Sequence, residues 1–193
     1  MEQLGRIVRL QVQVAPLKRG EKPHRWYDAE RIRRVDAATI TEDGVVGHLD
    51  GESTPIVDVH NRTHPESRNR GDNGVSLGVR GHYELMRGWF GDHVTDGIAG
   101  ENLVIDRDVR LTVDELASGL TAVGRDGRLT LATARPIEPC VEFSRFVLRA
   151  GDGGVTEPLR RLRHGIRGFA LTVAAGGGTV LREGDLVLLG ARG

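Results

Sequence analysis

The sequence predicts a mainly β (α+β) protein, a compact closed β-barrel with a few short helices. Many short segments carry strand-like patterns, and about three segments have helical spacing. In addition, 27 of the 193 residues are glycine, about twice the usual share, which indicates many tight turns. A doubly wound α/β fold would instead need longer helices between its strands, so the pattern favours the barrel.

Alternation of apolar and polar residues defines the strands predicted in the first half. Residues 7–14 read as a half-buried strand, with one face formed by Val8, Leu10, Val12 and Val14. A polar loop is expected at 15–30. Further short strands are expected at 32–40, 44–47 and 54–59. Segment 60–74 contains no aliphatic side chain and predicts a long polar loop, a type that is more often functional than merely linking.

The second half predicts helices mixed with strands. Apolar residues at two-, three- and four-residue steps indicate a helix over 77–90, and Gly91 is a plausible stop. A hairpin is expected at Arg125-Asp126-Gly127-Arg128. Short helices are expected at 141–148 and from Thr156, where a cap residue, an acid and an early proline follow one another. The remaining strands are predicted at 103–105, 109–113, 121–123, 129–134, 169–175 and 179–189.

Composition excludes several classes of function. Lys+Arg and Asp+Glu are both 27, so the zero net charge argues against a nucleic-acid-binding protein with a dominating basic field. The sequence has one cysteine, Cys140, so no intrachain disulfide forms, which suits a reducing compartment. No apolar run approaches the ~18 residues of a membrane span, and the first residues lack a signal core. We therefore expect a single cytoplasmic domain over 1–193.

Cys140 has the most distinctive context of any residue. It follows Arg135-Pro136-Ile137-Glu138-Pro139, and the two prolines favour a rigid extended loop. The sequence from Val141 onward is helical in pattern, and the positive end of a helix favours the thiolate. A thiolate ligates a soft metal or attacks sulfur. The alternative is that Cys140 is simply a small buried core residue.

Two loops offer polar candidates. In Gly97-Ile98-Ala99-Gly100-Glu101-Asn102-Leu103, the glycines would let backbone amides approach an anion, and Asn102 offers donors and acceptors to a heterocycle. The alternative is a plain turn with a locally bonded asparagine. In the 60–74 loop, an anion pocket or a solvated loop is expected, and Pro65 argues against a zinc-binding helix with His60 and His64. Its candidate side chains are His60, Asn61, Arg62, His64, Arg68 and Arg70.

A cluster of basic residues lies between positions 160 and 167. It would bind phosphate or RNA, or it would form the solvated face of a short helix with Leu159, Leu162 and Ile166 buried. The second interpretation is favoured. The cluster consists of Arg160, Arg161, Arg163, His164 and Arg167.

Taken together, these residues resemble the MOSC domain, the molybdenum-cofactor sulfurase C-terminal family. The resemblance rests on Gly100-Glu101-Asn102-Leu103, on Arg135 with Pro139-Cys140, and on the closing pattern from Val173 through Gly177-Gly178-Thr179-Val180 to Gly184-Asp185. Segment 82–86, running toward Phe90-Gly91, has a counterpart in standalone bacterial members. The resemblance is strongest over 40–190.

The resemblance implies a barrel of the MOSC / pyruvate-kinase-barrel-like type and a site for a molybdenum cofactor, a pterin dithiolene that carries Mo. Cys140 would be the Mo ligand or a persulfide carrier, and Asn102 would lie near the cofactor with Gly100 and Glu101. Pyridoxal phosphate is not expected, because the desulfurase domain of larger relatives is absent. Basic residues implied to bind the cofactor are Arg62, Arg68, Arg135 and, as a loosely similar anchor, Lys18.

Three functions follow as hypotheses. The protein would reduce small N-hydroxylated substrates, relay sulfur or chaperone the cofactor through Cys140, or act as a binding module with Cys140 in its core. The reductase needs a separate electron-transfer partner, because one cysteine cannot hold an iron–sulfur cluster and no nucleotide-binding fingerprint is present. The carrier needs a sulfur donor. For all three hypotheses, neither a membrane nor a nucleic acid is expected as a partner.

Overall fold

The computed structural model describes residues 2–149 and 154–190, with the side chains of residues 133 and 134 excepted. The predicted domain boundaries, 1 and 193, lie outside the described residues. The described strands are β1 Gln3–Gln13, β2 Lys18–Arg19, β3 Trp26–Tyr27, β4 Ile32–Arg34, β5 Ala37–Thr41, β6 Gly44–His48, β7 Ile56–Val57, β8 Val75–Val79, β9 Leu103–Ile105, β10 Leu120–Gly124, β11 Gly127–Pro136, β12 Phe169–Ala175, β13 Thr179–Arg182 and β14 Leu186–Leu189. The described helices are α1 Arg80–Phe90, α2 Val141–Leu148 and α3 Thr156–Arg161.

Within the described chain, seven strands close into a barrel. Their order is β14-β10-β11-β12-β8-β9-β1, and β1 pairs with β14 to complete the ring. All neighbours are antiparallel except β8 and β9, which are parallel. The far end of β1 also pairs with β4. The barrel confirms the predicted mainly β class.

Two smaller sheets accompany the barrel. Strands β13, β5, β6 and β7 form an antiparallel sheet, and β2 pairs with β3 in a short hairpin. The hairpin lies inside the segment that the sequence predicts as a polar loop. Its Lys18 pairs with Tyr27, which places both residues beside α2.

Two apolar clusters form the core. The larger joins the barrel strands to the four-stranded sheet, with fully buried side chains such as Leu10 and Leu77 from the barrel and Ile40 from β5. The smaller lies among α1, α2 and the turn after α3, and includes Tyr83 and Phe143. Burial of each such Leu or Phe side chain stabilises the fold by about 1.5–3 kcal/mol. The candidate site lies where the second cluster meets the barrel.

Several predicted elements are confirmed. Helix α2 and strand β9 have the predicted bounds, and Gly91 ends α1 with a positive φ of 106° that glycine adopts readily. The predicted hairpin joins β10 to β11, with Gly124 opposite Gly127. Segment 60–74 contains neither helix nor strand.

Other predictions are wrong for identifiable reasons. The predicted helix at 77–90 begins only at Arg80, because Leu77 and Val79 pair with Leu103 and Ile105 as strand β8. Segment 109–113 is not a strand, and the predicted strand at 32–40 is two strands, β4 and β5. Helix α3 is capped by Val155 without a side-chain hydrogen bond, so Thr156 is not its cap.

Strand β1 also departs from the predicted alternation. Val14 lies beyond the strand and is exposed, whereas Gln11, predicted to be on the polar face, is buried. The register of β1 against β9 shifts between Ile7 and Arg9, which breaks the regular alternation. Gln11 is buried because its amide donates to the Gly97 carbonyl at 2.7 Å.

His82 on α1 gives the fold a pH dependence. Its ring is buried, and the Leu111 N–H donates to Nε2 at 3.0 Å, while Nδ1 has no partner among the described residues. Burial lowers the pKa of His82 to about 4. The pKa in the unfolded chain is about 6.5, so the unfolded state takes up a proton first as the pH falls.

We expect the free energy of unfolding to fall by roughly 3 kcal/mol through this one group as the pH drops from about 6.5 to about 4. Above about pH 6.5 the neutral His82 makes its full contribution to the free energy of unfolding, and below about pH 4 that contribution is lost. Urea unfolding of the wild type and of His82→Gln at pH 7.5 and pH 4.5 measures the difference. Equal pH slopes for the two proteins would contradict the assignment.

Candidate functional site

A cavity of about 430 Å³ opens between the barrel and the start of α2. Its walls come from five separate parts of the chain: the β2–β3 hairpin, the polar loop after β7, the turn before β9, the segment after β11 and the turn before β12. The barrel therefore brings together segments that are up to about 150 residues apart in the sequence. Its walls combine cationic, acidic, neutral polar and aliphatic side chains.

Cys140 lies at the edge of this cavity. It immediately precedes α2, and its carbonyl accepts the Ser144 N–H at 3.0 Å, so the thiol is held at the helix start as predicted. The side chain is half-buried: it packs against the smaller apolar cluster and also lines the cavity. The preceding loop is tied down by the Ile137 N–H, which donates to the Gly168 carbonyl at 2.9 Å. The thiol is therefore both positioned and accessible.

Cationic side chains line the same cavity as the thiol. The cavity is lined by Lys18, Arg25, Arg68, Arg135 and Arg167. Glu142, on the first turn of α2, faces this group, with Lys18 Nζ at 4.0 Å from Oε2 and Arg25 Nε at 3.4 Å from Oε1. Burial alone would raise the pKa of Glu142, but its own backbone N–H, Lys18, Cys140 and Arg25 lower it. Three carboxylates, Glu66, Glu101 and Glu138, also line the cavity, so its cationic side chains outnumber its acidic ones by five to three. Arg135 in addition pairs with Asp72 at 3.5 Å.

Glu101 lies in the cavity wall with a free oxygen. The residue is only 1% exposed, Tyr83 Oη donates to its Oε2, and Oε1 has no hydrogen-bond partner among the described residues. Two glycines make room for it, since a Cβ at Gly78 or Gly168 would come within 3.1 or 2.9 Å of its side chain. Burial raises the pKa of Glu101. An unpaired polar atom in such a position is costly unless it serves a ligand or water.

Arg167 is the second buried charge of the wall. Its Nη1 donates to the Ala99 carbonyl at 2.5 Å, and its Cζ lies 4.1 Å from the centre of the Phe143 ring. Burial opposes the charged form, but nearby Tyr27, Glu101 and Cys140 raise the pKa of Arg167. The interpretation of Arg167 as part of the solvated face of a helix is wrong, because α3 ends at Arg161 and Arg167 is only 8% exposed.

Asn102 is buried outside the cavity lining. Its Oδ1 accepts from the Ser76 N–H and hydroxyl, and its Nδ2 donates to the Gln11 carbonyl and to Asp58 Oδ2 at 3.0 Å. Asp58 in turn accepts from the His60 N–H and lies 3.0 Å from its Nδ1. Asn102 thus contacts the site indirectly, by fixing the carboxylate that orients His60, a cavity-lining residue.

The turn before β9 differs from the expected anion-binding loop. The Gly100 N–H donates to the Gly97 carbonyl at 2.9 Å, so this amide is committed within the turn. Gly100 has a φ of 92°, and a Cβ there would come within 2.8 Å of Gln13 and Leu17. Gly100 lines the cavity, but the need for glycine at this position is explained by the positive φ and the close packing.

The other predicted residues divide between the cavity and the surface. Lys18, Arg68 and Arg135 line the cavity. Arg62 is not in the lining and instead pairs with Asp43, with 2.6 Å between Nη2 and Oδ1. His64 accepts the Glu66 N–H and is not in the lining. The described residues contain no group of three or more His, Cys, Asp or Glu side chains that could hold a metal ion.

Sequence reasoning missed three contributors. Arg25 and Tyr27 lie in a segment predicted to be an irregular loop, and Asp58 lies at the end of a predicted strand. None carries a local signal, because each acquires its role from partners far along the chain. Tyr27, for example, donates from Oη to the Ile98 carbonyl at 2.9 Å, 71 residues away.

Comparison with solved structures identifies the fold. A crystal structure of a hypothetical protein has a TM-score of 0.57 at 17% identity, over 98% of this chain and 70% of that one. YuaD from Bacillus subtilis has a TM-score of 0.54 at 12% identity, over 96% of this chain and 93% of YuaD. YiiM from Escherichia coli has a TM-score of 0.53 at 18% identity, over 83% of this chain and 65% of YiiM.

YiiM and YuaD are MOSC-domain proteins, so the fold of this chain is MOSC-like, as the sequence predicts. At these identities the likeness establishes the fold. No protein-family profile and no curated protein matches the sequence. Among the described residues, no helix has both the length and the apolar character that a membrane crossing requires.

Asn102→Ala should lower the free energy of unfolding by about 2–4 kcal/mol, because it leaves Asp58 and the Gln11 carbonyl short of a buried donor. Asn69→Ala, in the polar loop, is the matched control and should cost less than about 1 kcal/mol. Urea unfolding monitored by circular dichroism measures both. If Asn102→Ala is as stable as Asn69→Ala, the network does not have the structural role assigned to it.

Proposed function

We propose that this protein binds a molybdenum cofactor in the cavity, with the Cys140 thiolate as the protein's ligand to molybdenum. The observation that supports the proposal is the position of a lone, accessible thiol in a cavity that five cationic side chains line. Molybdenum in its oxo-sulfur chemistry accepts thiolate, and a single thiolate leaves positions open for a substrate.

The residues present fit the chemistry of this cofactor. A pterin has polar ring edges, and the unpartnered Oε1 of Glu101 offers such an edge a hydrogen bond, as acceptor when ionised and as donor when protonated. A phosphate group needs guanidinium and ammonium donors, which Arg68, Arg135 and Lys18 supply. The donor set thus provides a partner for sulfur-rich, heterocyclic and phosphate parts of one ligand.

Each protein group has a distinct task in this proposal. When bound, the cofactor supplies the redox chemistry, and the protein supplies position and electrostatics. The segment after β11 and the start of α2 hold the thiol in place, while Glu142 keeps Lys18 and Arg25 near it. Arg167 and Glu101 form a buried part of the wall, and a ligand reaches Glu101 Oε1 or Arg167 Nε only when the wall moves, because neither atom is exposed to solvent.

The reaction class proposed is reduction of small N-hydroxylated bases or amines. Two electrons and two protons cleave the N–O bond, giving the amine and water. A separate electron-transfer protein would deliver the electrons, because the chain's one cysteine cannot hold an iron–sulfur cluster. The competing proposal, sulfur relay through a persulfide on Cys140, uses the same accessible thiol and is separated from the first by metal content and turnover.

Protein purified from a host that makes the cofactor should contain molybdenum near one equivalent, and Cys140→Ser should lose most of it. The serine hydroxyl is a harder ligand and is not ionised at neutral pH, so it does not replace the thiolate. Elemental analysis by mass spectrometry measures the metal per chain. Val141→Ser, at the exposed neighbouring position, is the control and should keep the metal.

A molybdenum-free wild type whose Cys140 is readily labelled by a thiol reagent would overturn the cofactor proposal and favour sulfur relay. A metal-free protein whose thiol resists labelling would favour the binding module instead. Circular dichroism of both variants keeps loss of folding distinct from loss of metal.

The double variant Arg68→Gln with Arg135→Gln should lose bound cofactor while its fold remains intact.

The loaded protein should reduce N-hydroxylaminopurine with a chemical electron donor. Product amine is measured by chromatography. Absence of turnover in protein that carries stoichiometric molybdenum would contradict the reductase assignment while leaving the cofactor assignment intact.

A further inference from the structure

A second, shallower cleft lies on the outer side of the β2–β3 hairpin and α2. It has a volume of about 440 Å³, and no step of the proposed function uses it. Three aromatic rings and three arginines dominate its lining. These residues are Trp26, Tyr27, Phe146, Arg25, Arg145 and Arg149.

The charges in this cleft are unbalanced. Among its described lining residues, three guanidinium groups face a single carboxylate, Glu142, whose Oε1 lies 3.4 Å from Arg25 Nε. Arg145 reaches the Pro23 carbonyl at 3.5 Å through Nη1, and its buried Nε has no partner. Arg149 forms no ion pair with any described residue. The buried Nε of Arg145 is closed to a ligand, whereas Arg149 is exposed and its guanidinium is open to an anion in the cleft.

The aromatic side of the cleft offers a stacking surface. Trp26 is 52% exposed, which is unusual for so large an apolar side chain, and the Arg19 guanidinium lies 5.6 Å from its ring centre. Phe146 and Tyr27 have ring centres 5.1 Å apart and form the rest of the apolar wall. Planar ligand rings stack on such surfaces, and an adjacent guanidinium strengthens the interaction.

We propose that this cleft binds a planar heteroaromatic ring that carries a phosphate, the chemistry of a mononucleotide. The ring stacks on Trp26, and the phosphate binds Arg145 and Arg149. A bare anion leaves the aromatic wall unused, and an uncharged ring leaves the guanidinium groups unpaired. The proposal does not depend on the molybdenum cofactor, because none of the residues assigned to hold it is needed here.

Calorimetric titration with AMP and FMN tests the proposal, and the two ligands distinguish an adenine from a flavin nucleotide. At least one should bind, and its phosphate-free counterpart, adenosine or riboflavin, should bind at least about ten-fold more weakly. Inorganic phosphate alone should also bind more weakly than the nucleotide. Binding of neither nucleotide at millimolar concentration would overturn the proposal.

Variants locate the site. Arg149→Gln and Trp26→Ala should each weaken binding about ten-fold, and Trp26→Phe should retain more affinity than Trp26→Ala. Arg160→Gln and Trp89→Ala are matched controls outside the cleft and should bind as the wild type does. If Arg135→Gln abolishes binding while Arg149→Gln does not, the nucleotide occupies the larger cavity and the proposal is wrong.

Discussion

Strand β1 is the element on which the rest of the molecule depends. Its backbone bonds to β14 on one side and β9 on the other, and this double pairing closes the barrel. Its polar side chains then act beyond the strand. Gln11 and Gln13 donate to the Gly97 and Gly100 carbonyls, each at 2.7 Å. One strand therefore fixes both the closed sheet and the turn that delivers Glu101 to the cavity.

The cavity wall is organised around buried charge rather than apolar packing alone. Glu101 and Arg167 are both removed from water, and each is held by specific partners, Tyr83 and the Ala99 carbonyl respectively. Burying such groups costs free energy that well-packed apolar residues would avoid. The Tyr83 hydrogen bond and the attraction between Glu101 and Arg167 offset part of this cost, while Gly78 and Gly168 leave room for the carboxylate. A cluster of buried charged groups that costs folding free energy is typical of functional sites.

The sequence predicted what depends on local pattern. The mainly β class, helix α2, the β10–β11 hairpin and the placement of Cys140 before α2 follow from periodicity, turn residues and prolines near each other in the chain. The helical interpretation of 77–79 failed because pairing with β9 overrides spacing.

Predictions about individual polar side chains were less successful. Arg68, Arg135 and Lys18 line the cavity, but Arg62 pairs with Asp43 at the surface and Asn102 serves a buried network. Composition and spacing show which polar groups are available, whereas their destinations depend on contacts such as that of Asn102 with Gln11, 91 residues away. Such contacts are set by the closed barrel, which a linear pattern does not specify.

Arg25 and Tyr27 belong to the walls of both the cavity and the cleft. Between the two spaces the Arg25 guanidinium is held by Glu142, with Nε 3.4 Å from Oε1. If ligands occupied both spaces, any shift of Arg25 caused by one would change the equilibrium affinity for the other, and the coupling would be equal in both directions.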